Sequence, residues 1–200
     1  MQKRLEGAER VALLAVGSDL RGDDAAGLLV ADYLEKDLRL KAEGRRFSDA
    51  SVATYQHTTK GSPLPSSAVR LQSSASALPS SPILHPPSFL LLRGHTAPEN
   101  CTGAIKRFAP THLVVVDAAD LGQAPGTVVV LEPGQIAGVS FSTHQLPLSV
   151  LLDYLKTSID FEAVVIAIQP AQLHFGQPVT PSVRRAARRL ATALAGCVQV

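Results

Sequence analysis

The stretch Val11-Ala-Leu-Leu-Ala-Val16 is apolar throughout and ends at Gly17. A run with no polar alternation cannot turn one face to water, so it reads as a strand covered on both faces, as strands of parallel sheets are. After a polar loop, Ser18 to Asp24, the spacing of Ala26, Leu29, Val30, Tyr33 and Leu34 predicts a helix from Ala25 to about Leu38. Two further runs of the same kind, His112 to Val116 and Ala163 to Ile168, predict two more buried strands.

Between these runs, Phe89 to Leu92 reads as a strand and about Glu99 to Phe108 as a helix. Leu148, Leu151, Leu152 and Leu155 mark another helix, and Thr180-Pro181 opens a last one with a cap residue and a Pro in its first turn. The link from Asp117 through Pro125-Gly126 to Thr127–Leu131 is too short for a crossover helix, so that strand should run antiparallel at a sheet edge. The expected fold is α/β: a three-layer sandwich with a five-stranded, mostly parallel twisted sheet, one antiparallel edge strand and helices on both faces.

With 200 residues, 46% of them apolar, residues 1–200 are expected to form one domain. The pattern breaks at about 44–86. Positions 48 to 88 hold 11 serines and 6 prolines, too little apolar surface to offset the entropy of ordering, so this is expected to be a mobile insert, surplus to the topology.

A formal charge of +2 gives no reason to expect nucleic acid or a membrane surface as partner. No apolar run is long enough for a signal sequence or a membrane span. Cys101 and Cys197 fit neither a redox pair nor a zinc cluster and are read as buried thiols in a reducing compartment, so the expected location is the cytoplasm.

Three polar segments fall where an open α/β sheet carries its functional groups, beyond the C-terminal ends of its strands. Gly17 to Gly27 lacks the glycine spacing of a dinucleotide loop and the Gly-Lys-Ser/Thr of a phosphate loop, which argues against a nucleotide-binding enzyme. Its Asp23 and Asp24 would repel an anion and suit a cation, or else serve as N-caps. Asp117 follows Leu-Val-Val-Val and either points out of the sheet edge or makes an Asx turn before Gly122. His144 precedes a helix, as a ligand or a structural imidazole. Together Asp24, Asp117 and His144 make a mixed oxygen and nitrogen donor set suited to nickel or zinc. No HExxH, GxSxG or Cys-His pattern is present.

Five segments in order are similar to those of the hydrogenase maturation endopeptidases, in the branch serving formate hydrogenlyase-type hydrogenases: Val16–Gly27, Thr96–Asn100, Leu113–Gly122, Thr143–Leu148, and Ile168-Gln-Pro170 with Phe175-Gly176. The resemblance implies that Asp24, Asp117 and His144 are the metal-site residues. It further implies that the partner is a nickel–iron hydrogenase large-subunit precursor, and that a short C-terminal extension is cut off after nickel insertion. Nickel would then arrive with the substrate, no organic cofactor would be needed, and the protein is expected to act as a monomer. Hydrolysis would fall to a metal-bound water or to Asp24 or Asp117 as general base. Two departures stand out: Ser18 where the family usually has Asn, and the Ser/Pro-rich insert, which enters next to the strand leading to His95 and Thr96, where the family tends to have small residues. The rival reading from the same three ligands is a nickel-binding chaperone that does not cut.

Overall fold

The computed structural model describes residues 2–5, 7–44, 52–56, 88–136, 139–141 and 147–197. Its strands are β1 (Val11–Val16), β2 (Val52–Gln56), β3 (Phe89–His95), β4 (His112–Asp120), β5 (Val128–Leu131), β6 (Ser140–Phe141) and β7 (Glu162–Ile168). Six of them lie in the order β2-β3-β1-β4-β7-β5, and β6 pairs with the end of β4. The first five in that order are parallel to their neighbours, and β5 runs antiparallel to β7 at the edge. All five strands expected from the sequence are present, and the antiparallel edge strand is where the short link required it.

The helices are α1 (Ala26–Gly44), α2 (Thr102–Phe108), α3 (Pro133–Ile136), α4 (Leu148–Lys156) and α5 (Pro181–Cys197). Successive residues of a strand face opposite sides, and β1 shows what this requires of its sequence. Val11, Leu13 and Ala15 pack with α1 and α5, while Ala12, Leu14 and Val16 pack with α2 and α4. Both faces are covered, so neither tolerates a polar residue, and the uninterrupted apolar run follows.

One expectation needs correction. Val52–Gln56, inside the Ser/Pro-rich insert, is β2, paired in parallel register with β3 from Val52↔Phe89 to Gln56↔Arg93. That piece belongs to the sheet and is not surplus to the topology. The rest of the expected 44–86 insert lies outside the described residues, apart from Gly44, the last residue of α1.

Two features bring the functional groups together. The connections leaving the adjacent strands β1 and β4 part to opposite faces, since α1 lies on one and α4 on the other. Such a switch point opens a crevice at the C-terminal strand ends. The second feature is Gly27, in the first turn of α1. A Cβ there would stand 2.3 Å from the carbonyl oxygens of both Val16 and Val116, so only glycine lets the start of α1 sit directly on the ends of β1 and β4.

Candidate functional site

Asp23 and Asp24 lie in a single 3-10 turn, Gly22–Ala25, and both are fully buried. Both lie inside the turn, whose N-cap position is Arg21. The two carboxylates have different tasks. Asp23 faces the segment joining β7 to α5: its Oδ2 accepts from Ala171 N at 2.8 Å, Gln172 N at 3.3 Å and Thr180 Oγ1 at 2.9 Å, and its Oδ1 accepts from Thr180 N at 2.6 Å. With the Asp23 N–H donating to Gln172 O at 3.2 Å, this carboxylate ties the turn to the start of α5.

Asp23→Ala is expected to leave several of these donors without their acceptor, at a cost of about 3 kcal/mol, or roughly 10 °C in melting temperature for a chain of this size. A thermal melt checks it; a melting temperature near the wild-type value would show that the clamp contributes little.

Asp24 lies near enough to Asp117 for its charge to act on that carboxyl. Asp117 is fully buried as well and lies within β4, opposite Ala167 of β7, rather than in a loop after the strand. The turn before Gly122 is made by Asp120 instead, whose Oδ1 accepts from Gly122 N at 3.1 Å. Gln169 braces the same turn, accepting from Leu121 N at 2.6 Å and Gln123 N at 3.2 Å. Asp117 Oδ1 accepts from Ala118 N at 2.8 Å. Burial pushes the Asp117 carboxyl well above the usual carboxylate range, the charge of Asp24 pushes it the same way, and the Ala118 N–H opposes them. Two buried acids whose charges act on one another favour a single negative charge between them, or a cation.

Asp24 and Asp117 are thus adjacent at the switch point, while His144 lies outside the described residues. Among the described residues no three His, Cys, Asp or Glu side chains gather as a metal site requires. Cys101 takes no part: it is buried, and its thiol is pushed up to about 11 by burial, with the Glu99 charge adding. Cys197, expected to be buried, is only partly so.

A cleft of about 380 Å³ opens at the ends of β1 and β3, lined by Gly17, Ser18, Asp19 and Leu20 from the loop after β1 and by Gly94–Ala97 and Asn100 from the loop after β3; Asp24 and Asp117, both fully buried, are not part of its lining. The backbone of Asp24 packs against Gly17, where a Cβ would come within 1.9 Å of the Asp24 carbonyl oxygen. Gly17 has φ +133, a conformation open to glycine. His95 occupies the left-handed region at φ +49, and its carbonyl accepts from Gly17 N at 3.0 Å. The β3 end is anchored by Arg93, whose guanidinium reaches Asp32 and Glu35 of α1, each at 2.8 Å. The sequence offered a signal for this wall of the cleft in the segment Thr96–Asn100 and in the departure at His95.

The fold is shared with solved maturation endopeptidases. A [NiFe] hydrogenase maturation protease from Thermococcus kodakarensis superposes with a TM-score of 0.68 at 24% identity, covering 98% of this chain and 96% of that one. The endopeptidase HycI from Escherichia coli superposes with a TM-score of 0.60 at 26% identity, covering 94% and 90%. The Hydrogenase 3 maturation protease of Escherichia coli K12 is 36% identical over 110 residues, 54% of this chain and 70% of that protein. Residues 82–196 match the family model for hydrogenase maturation proteases, and the chain belongs to that family. It is accordingly a peptidase.

Proposed function

We propose that this chain is a cytoplasmic endopeptidase that removes a short C-terminal extension from the nickel-loaded large-subunit precursor of a nickel–iron hydrogenase. The observation that carries the reading is the buried Asp24–Asp117 pair, in which Asp117 is biased toward its protonated form. Such a pair holds a base and an acid at one point. One carboxylate of the pair takes a proton from a water that attacks the scissile carbonyl carbon, and as the C–N bond breaks that proton passes to the leaving amine. The donor chemistry also fits a divalent cation, which would relieve the repulsion between the two acids. Asp24, Asp117 and His144 would hold the nickel carried by the substrate, which marks the precursor as ready and polarises the bond to be cut.

The reading is tested with purified precursor in nickel-loaded and nickel-free forms. Wild-type protein should shorten the loaded form only. His144→Ala should lose processing by about a hundredfold or more while its circular dichroism and melting remain as in wild type. Equal cleavage of the nickel-free precursor would remove nickel recognition from the scheme.

A further inference from the structure

Two large apolar side chains stand out into solvent, one of them, Leu20, lining the cleft and the other, Phe175, on a neighbouring loop. Leu20 is 57% exposed and Phe175 is 75% exposed. They belong to loops far apart in sequence, one after β1 and one between β7 and α5, yet Gly176 N donates to Leu20 O at 2.8 Å, joining the loops backbone to backbone beside both side chains. Gly176 supplies the turn this requires, with φ +74. Hydrogen bonds organise the rest of the second loop: Gln172 Nε2 donates to Pro178 O at 3.1 Å, Gln172 Oε1 accepts from His174 N at 2.9 Å, and Asp23 holds Ala171, Gln172 and Thr180. Phe175 is therefore exposed on an organised loop. Ordered apolar surface left in water is unfavourable until something covers it, and aromatic anchors of this kind concentrate binding energy.

Leu20 is also one of the residues lining the cleft, together with Gly17, which packs against the backbone of Asp24. The apolar ridge is thus continuous with the cleft of a peptidase, and what a peptidase lays along its cleft is a polypeptide.

We propose that Leu20 and Phe175 form a docking ridge for an apolar side chain of the polypeptide being cut, in the stretch next to the scissile bond. This rests on the endopeptidase reading above. The ridge determines affinity and takes no part in the chemistry, so its loss raises KM and spares kcat.

The test uses the full-length chain and the nickel-loaded large-subunit precursor, with variants Leu20→Asn, Phe175→Ser, the double variant and Phe175→Leu. Phe175→Ser is expected to raise KM about tenfold and the double variant further, with kcat within about twofold of wild type. Phe175→Leu should recover most of the affinity, because the ridge needs apolar area more than an aromatic ring. Melting temperatures should match wild type, since both side chains stand outside the core. An unchanged KM in the folded double variant overturns the ridge while leaving the endopeptidase reading in place. If the wild-type chain is a dimer in sedimentation and the double variant is a monomer with normal KM, the ridge belongs to a second copy and the proposal is overturned. If the wild type cuts no precursor, the endopeptidase reading and the ridge fall together.

Discussion

Asp117→Asn is expected to be at once more stable than the wild-type protein and nearly inactive. Burial first, and the charge of Asp24 second, hold the Asp117 carboxyl above its ordinary range. The folded protein therefore binds this proton more tightly than the unfolded chain does. The stability associated with the group is complete below the unfolded carboxylate pKa of about 3.9 and is lost as pH rises through the raised value in the folded state. Asparagine keeps the oxygen that accepts from Ala118 N and removes the charge. The variant should melt higher at pH 7 to 8, by roughly 2–4 °C for each kcal/mol recovered in a chain of this size, and the gain should vanish near pH 4. Precursor cleavage should fall about a thousandfold, within the range that loss of a general acid or base produces. Melts across this pH range with a cleavage assay decide it; a variant that melts lower at pH 8, or cleaves at the wild-type rate, would contradict the assignment.

The second large effect is expected at Gly27. An ordinary helical Gly→Ala change gains about 1 kcal/mol in helix propensity. Here the added Cβ would meet two backbone oxygens at 2.3 Å, Val16 O on β1 and Val116 O on β4. Neither can yield without displacing a strand buried on both faces. Gly27→Ala should therefore lose about 3 kcal/mol or more, the upper range for overpacking a filled core. It should lose cleavage as well, because lifting the start of α1 moves Asp24 away from Asp117. Urea unfolding measures the first effect. An unchanged or higher midpoint would mean that helix and strand ends are not in close contact.

Much of this architecture can be read from the chain, and the unreadable parts have physical reasons. β1, β4 and β7 declare themselves because a strand covered on both faces must be apolar at every position. β2 does not, since Val-Ala-Thr-Tyr-Gln is short and flanked by a composition that signals disorder. The continuation of β4 through Asp117 is obscured because Ala118 and Ala119 carry little strand signal, although both are buried.

Asp24 and Asp117 could be nominated by position, as groups at the ends of adjacent parallel strands. Local sequence cannot separate Asp23 from Asp24, however. They share the same neighbours, and what distinguishes them is the contact of Asp23 with Ala171, Gln172 and Thr180, about 150 residues further along the chain. The meeting of Leu20 with Phe175-Gly176 is equally non-local and becomes visible only once β1 and β7 lie in one sheet.

The most direct test is the intact mass of a nickel-loaded large-subunit precursor before and after incubation with the purified chain. A peptidase acting as proposed lowers that mass by a C-terminal segment, releases the segment as a peptide, and does neither when Asp24 and Asp117 are both replaced by Asn. A precursor that binds the wild-type chain yet keeps its full mass would contradict proteolysis and leave a chaperone in its place.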